Sequence, residues 1–155
     1  MSANEALIAR FYTCFQQKDY AGMQACYADN ATFSDAVFKN LNASQVRAMW
    51  QMLITRGTDL DLTFSKVQAN DQQGSAQWEA TYTFSATGRR VVNRIKAEFV
   101  FENGKIVQHT DSFDFYVWAR QALGLSGWLL GWTSFLQQKV SDKAMSNLAQ
   151  FMKKG

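Results

Sequence analysis

A chain of 155 residues with 47% apolar and 19% charged side chains is the size of one globular domain, large enough to bury its core without disulfide or metal staples. Its net charge of +3 comes from basic residues spread along the chain. The densest pairs, Arg89-Arg90 and Lys153-Lys154, form neither the stripe nor the cluster of a nucleic-acid binder, so nucleic acid is excluded as a partner.

Cys14 and Cys26 are the only cysteines and His109 the only histidine, without a CxxC motif or metal-ligand spacing. The thiols read as those of a reducing compartment, and no metal or cofactor is expected. The opening MSANEALIARFY lacks a basic stretch followed by an apolar one, so no signal peptide is predicted.

Asn4 is a candidate N-cap for a first helix through about Gln17, because Leu7, Ile8, Phe11, Tyr12 and Phe15 keep three-and-four spacing. A short second helix is expected from Tyr20 to Tyr27, with Met23, Cys26 and Tyr27 on one face. After Ala28-Asp29-Asn30, Thr32 to Phe38 reads as a short strand. Ser44 is the candidate cap of a third helix, about Gln45 to Thr55, which points Val46, Met49, Trp50 and Leu53 inward and ends at Gly57.

Beyond Gly57 the apolar period changes to two. Leu60, Leu62 and Phe64 alternate with polar residues, as do Ala76, Trp78, Ala80, Tyr82 and Phe84, and then Val91, Ile95, Ala97, Phe99 and Phe101. The turn Glu102-Asn103-Gly104 carries a strong hairpin signal and leads into a fourth run from Lys105 to about Trp118. Helices followed by an antiparallel meander predict an α+β fold. The tail from Ala119 returns to helical spacing, broken at Gly124 to Gly127, with Asp142 a candidate cap for a last helix. Its apolar stretch from Ala122 to Leu136 is shorter than the ~18–20 residues of a spanning helix. No membrane span is therefore expected, and a cytoplasmic, soluble protein is predicted. The chain lacks proline and linkers, and it is divided into residues 1–118 and a helical extension, 119–155, of the same domain.

The segment Tyr27-Ala-Asp-Asn-Ala-Thr-Phe-Ser-Asp35 and the meander ENGKIVQHTDSFDF resemble the nuclear transport factor 2-like superfamily over about residues 4–118. That superfamily includes ketosteroid isomerases, SnoaL-like polyketide cyclases and limonene epoxide hydrolases. The resemblance implies a cone-shaped curved antiparallel sheet closed by N-terminal helices around a pocket for a small apolar ligand. It also implies a homodimer built on the outer face of the sheet, where Val92 and Val100 sit among Arg94, Lys96 and Glu98. One fold serving unrelated chemistries leaves the reaction open.

Asp35 falls where the ketosteroid isomerases carry their general base. A carboxylate in a dry pocket, its pKa raised by desolvation, suits proton transfer; the structural alternative is a turn residue bonding local backbone. By the same resemblance the oxyanion tyrosine falls on Phe11, with Tyr12 beside it, and the protonated aspartate on Ala97. An enolate would lack its donors, so steroid-type isomerisation is not expected. His109, Asp111 and Phe113 share one strand face, making His109 and Asp111 a candidate acid/base pair. The alternative is a hydrogen-bonded histidine in the pocket wall, with Asp111 pairing with an arginine. Asp114 lies on the opposite face, where it would hold a helix or the tail. The expected lining is Phe11, Tyr12, Phe15, Trp50, Phe99 and Phe113.

Trp128, Leu129, Leu130, Trp132 and Phe135 are too apolar for free exposure. They are expected to pack across the sheet, the cone mouth or a second subunit. A membrane surface is disfavoured because acidic and neutral residues separate the few basic ones along the chain. Two classes of function stay open. One is a pocket protein for a small, largely apolar molecule, with Asp35, His109 and Asp111 acting as in a cofactor-free isomerase, cyclase or hydrolase. The other is a non-catalytic dimeric assembly module.

Overall fold

The first helix, α1 (Ala3–Gln16), begins at a capping box: Ser2 Oγ accepts the Glu5 N–H (3.1 Å) and the Ser2 N–H donates to Glu5 Oε1 (2.8 Å). Asn4, expected as the cap, instead lies buried in the first turn and donates to the Asn70 and Asp71 carbonyls. The computed structural model describes residues 2–154; Met1 and Gly155, the outer limits of the expected domain division, lie outside the described residues. Helix α2 (Tyr20–Gln24) is shorter than expected, and Tyr27 opens strand β1 (Tyr27–Ser34), which starts before Thr32 and stops short of Asp35. A second capping box, Asn42 with Gln45, starts α3 (Ala43–Arg56) ahead of the expected Ser44. Gly57 ends it as expected, its N–H meeting the Leu53 carbonyl at 2.8 Å.

Strands β2 (Asp61–Ala69), β3 (Gln73–Phe84), β4 (Arg89–Glu102) and β5 (Lys105–Ser112) form the expected antiparallel meander. The β4–β5 hairpin turns on Asn103 and Gly104, both with positive φ (52° and 75°), as a tight turn of this twist requires. The sheet order is β1-β5-β4-β3-β2, and β1 joins the far edge parallel to β5, which makes the sheet mixed. Along β4, Val91, Asn93, Ile95, Ala97, Phe99 and Phe101 are buried, while Val92, Arg94, Lys96 and Glu98 face solvent. Ile95, Ala97, Phe99 and Phe101 meet the inner faces of α1 and α3 in the main core.

The fourth alternating run stops at Ser112 rather than near Trp118. Asp114 accepts the Val117 N–H (3.1 Å) and caps α4 (Phe115–Leu123), the helix-holding role foreseen for it. Phe115, Trp118, Ala119 and Ala122 pack against Val91, Tyr82 and Phe84, so α4 closes the mouth of the cone and leaves the outer face bare. Gln121 bonds both backbone groups of Val92 (2.8 and 3.0 Å), satisfying β4 beyond the end of β5 as another strand would. After the short α5 (Leu125–Leu130), α6 (Ser134–Lys154) runs unbroken through Asp142. The expected cap there is absent, since Asp142 takes a hydrogen bond from Gln138 inside the helix. Helix α6 returns along α3, burying Leu148 in the main core. Among the described residues no helix is long and apolar enough to cross a membrane.

Candidate functional site

Strand alternation and register put His109 on the concave face, opposite Phe99, with Asp111 opposite Ala97. His109 is 1% exposed and Asp111 4%. The His109 ring is bonded on both sides: Nδ1 lies 2.8 Å from the Tyr27 hydroxyl and Nε2 2.8 Å from Asp111 Oδ1. Tyr27 Oη also accepts the Trp50 Nε1–H (2.8 Å). An indole only donates, which leaves the Tyr27 proton for Nδ1 and the Nε2 hydrogen for Asp111. Trp50, Tyr27, His109 and Asp111 thus form one directional chain in which every hydrogen has an acceptor. Phe11, Phe33 and Phe99 surround the imidazole, the last with ring centroids 4.4 Å apart, and keep water from it.

Phe11, Tyr12, Phe15, Trp50 and Phe99 come together as expected, but as packed core. Each is at most 2% exposed and they meet ring against ring, so they fill the deep end of the cone instead of lining a void there. An open depression of about 770 Å³ lies elsewhere, on the outer face among Lys66, Gln77, Lys96, Glu98, Gln108 and Thr110. Phe113 is partly buried where the main core meets the α4 cluster, and Ile95 and Asn93 on the concave face keep 7% and 8% of their surface exposed.

Asp35 stands in the turn after β1. Its Oδ1 accepts the N–H groups of Val37 (2.8 Å) and Phe38 (2.7 Å), so the local-backbone reading is realised. Burial nevertheless raises its pKa to about 6, against those two hydrogen bonds; the field of Asp111 adds to the rise and that of His109 opposes it. The fields of His109 and Asp111 thus reach Asp35 although the pair is more than seventy residues away in sequence. Asp111 pairs with His109 and not with an arginine.

Sequence reasoning missed several polar members of this interior. Helical spacing puts Tyr27 on a helix face, and alternation marks Tyr82 only as an inward apolar position. The Tyr82 hydroxyl accepts the Trp118 Nε1–H (2.8 Å), and burial raises its pKa, with Asp35 contributing. Tyr12 Oη and Trp78 Nε1 are buried with no hydrogen-bond partner, their rings 6.0 Å apart. Burial, and then the field of Asp111, pushes the Tyr12 pKa well above its ordinary value, keeping it a neutral donor. Inward alternation is the available signal for Tyr82 and Trp78; nothing local marks Trp118 as the partner of Tyr82. Among the described residues no three His, Cys, Asp or Glu side chains cluster as metal ligands would.

A family profile of the SnoaL-like domain matches residues 8–109. The fold is similar to that of a nuclear transport factor 2-like protein of unknown function from Burkholderia pseudomallei (20% identity, TM-score 0.64, covering 74% of this chain and 92% of that one). It is also similar to IdmH, a candidate polyketide cyclase from Streptomyces antibioticus (19% identity, TM-score 0.65, 79% of this chain and 99% of that one). An epoxide hydrolase of the limonene type from Mycobacterium tuberculosis superposes with a TM-score of 0.63 at 14% identity, covering 78% of this chain and 90% of that one. No curated protein matches the chain in sequence.

Proposed function

This chain belongs to the SnoaL-like domain family, and on that footing we propose that it binds a small, largely apolar molecule bearing an oxygen acceptor, with Asp35 exchanging a proton with it. The observation that carries this reading is the pair of unpartnered donors, Tyr12 Oη and Trp78 Nε1, in the same interior as a wired His109–Asp111 pair. A buried donor without an acceptor costs about 1–3 kcal/mol, which a ligand oxygen would recover. The deep end is filled, so the apolar body of the ligand lies towards the mouth, beside Ile95 and Phe113. A carboxyl that titrates near pH 6 is suited to take or give a proton at neutral pH. The His109–Asp111 pair, held by Tyr27, is the polar group whose field reaches that carboxyl.

Native mass spectrometry of the purified chain tests the reading, together with a thermal-shift screen of small apolar compounds bearing a carbonyl or epoxide oxygen. The expected result is a bound small molecule that Tyr12→Phe releases, although Tyr12→Phe leaves the free protein as stable as before or more so. Absence of any adduct or thermal shift, or unchanged binding by Tyr12→Phe, overturns the proposal.

A second reading, a non-catalytic pairing module, is favoured by two observations: the filled deep end and the bare outer face with its depression. Sedimentation decides its pairing element. A dimer that Val92→Lys disperses supports it, and a monomer removes it.

A further inference from the structure

Helix α5 and the first turn of α6 present large apolar side chains outward. Leu125, Leu129, Trp132 and Phe135 are 63–74% exposed, and Trp128 and Leu130 about half. The arrangement is enforced from beneath. Gly127 lies so close to α4 that a β-carbon there would stand 1.9 Å from the Ala119 carbonyl oxygen, so the face turned inward is glycine. The large residues have only the outward side left. From Gln121 to Gln138 not one residue carries a charge.

The fold encloses this patch with cations that the sequence keeps apart. The Arg89 guanidinium lies against Gly124, next to Leu125, and its Nε donates to the Gln121 carbonyl (2.7 Å). Arg120 lies over the Trp128 ring at 4.5 Å and the Tyr116 ring at 4.9 Å. Lys139 Nζ stands 5.9 Å from the centre of the Phe135 ring. Tryptophan, leucine and phenylalanine at the centre with Arg and Lys at the rim is the composition of an element lying in a bilayer interface. The expectation against a membrane surface rested on separation along the chain, and folding removes that separation.

We propose that α5 and the start of α6 dock this protein on an anionic phospholipid surface. Leu125, Leu129, Trp132 and Phe135 enter the acyl boundary, and Arg89, Arg120 and Lys139 meet the headgroups. The element lies in the interface and does not span, since α5 covers only Leu125–Leu130. A second copy of the chain is the weaker occupant, because a twofold contact through this patch would bring its cationic rim up to the equally cationic rim of the other copy. Docking here would bring the cone mouth, closed by α4, close to molecules dissolved in the bilayer.

Vesicle co-sedimentation of the full chain tests this, using phosphatidylcholine vesicles with and without phosphatidylglycerol. The chain should bind the anionic vesicles and lose binding as salt rises. Replacing Leu129, Trp132 and Phe135 together by serine should weaken binding about tenfold or more while the circular dichroism spectrum is kept. Lys139→Gln should weaken it about fivefold on the anionic vesicles only. Failure of the wild-type chain to bind, or equal binding by the triple variant, overturns the proposal. So does self-association without vesicles that the triple variant abolishes, since the occupant is then a second copy.

Discussion

The deep end of the cone and the α5 segment use the same side chains to opposite ends. Phe11, Phe15, Trp50 and Phe99 arrive from two helices and a strand, and all are buried. Leu125, Leu129, Trp132 and Phe135 arrive from one short segment and all are exposed. Composition does not distinguish the groups. What distinguishes them is whether the period of the element matches a face that something else covers. Helical spacing in α1 and α3 and alternation in β4 point their rings at one another. Helix α5, six residues long, turns its one inward face to α4 through Gly127 and leaves its large side chains on the outward side.

The comparison breaks most visibly in stability. Phe11→Ala removes a ring packed against Tyr12, Tyr27, Trp50, Phe99 and His109, and should cost about 3–5 kcal/mol in urea unfolding. Trp132→Ala, at 74% exposure, should change stability by less than about 0.5 kcal/mol. Equal losses at the two positions would mean that the exposed segment is covered in solution.

A smaller effect should separate polar from apolar packing within the deep end. Tyr27→Phe keeps the ring and removes one oxygen, leaving Trp50 Nε1 and His109 Nδ1 without a partner in a dry interior. The expected cost is about 2–3 kcal/mol, near that of a lost aromatic contact although little volume is removed. The His109 side-chain NMR resonances should shift as well, since its acceptor nitrogen loses the Tyr27 proton. A variant as stable as the wild type would show that water takes over the hydroxyl's role.

Much of this interior was readable in advance. Alternation alone placed His109 and Asp111 on the inner face, because β5 is regular from Gln108 to Ser112. The end of that strand was not readable: Phe113, Phe115 and Val117 continue the alternation, while Phe115, Trp118, Ala119 and Ala122 also fit a helix. The Asp114 cap decides between two patterns of equal quality. The start of α1 carried its signal, Ser2 with Glu5 three residues on, but Asn4 competed for it. Tyr27 carried none, since its partner is His109 from the far end of the chain. Whether the cone is hollow was equally hidden, because spacing gives the direction of a side chain and not the room left after packing. The mixed sheet follows from β1 returning to an edge that the meander leaves open.

The smallest effect sharpens the contrast between the filled end and the mouth, and it depends on pH. Asp35 has a pKa of about 6 against an ordinary 3.8, so the folded chain holds its proton more tightly than the unfolded chain. For a carboxyl shifted upward, no cost is felt below about pH 4, where both states are protonated. Stability is then lost as pH rises towards about 6, and above that the full cost persists. Asp35→Asn cannot ionise, and its amide oxygen still accepts from Val37 and Phe38. The variant should therefore match the wild type in acid and exceed it by about 1–2 kcal/mol at neutral pH, a gain kept below the full linkage value because Asp35 is partly exposed. Comparing the two proteins at each pH cancels the titration of every other group, so urea midpoints along a pH series are sufficient. A difference that stays constant from acid to neutral would mean that the two backbone hydrogen bonds offset burial. Asp35 would then be a turn residue alone, and the proton-exchanging group would have to be sought in the His109–Asp111 pair.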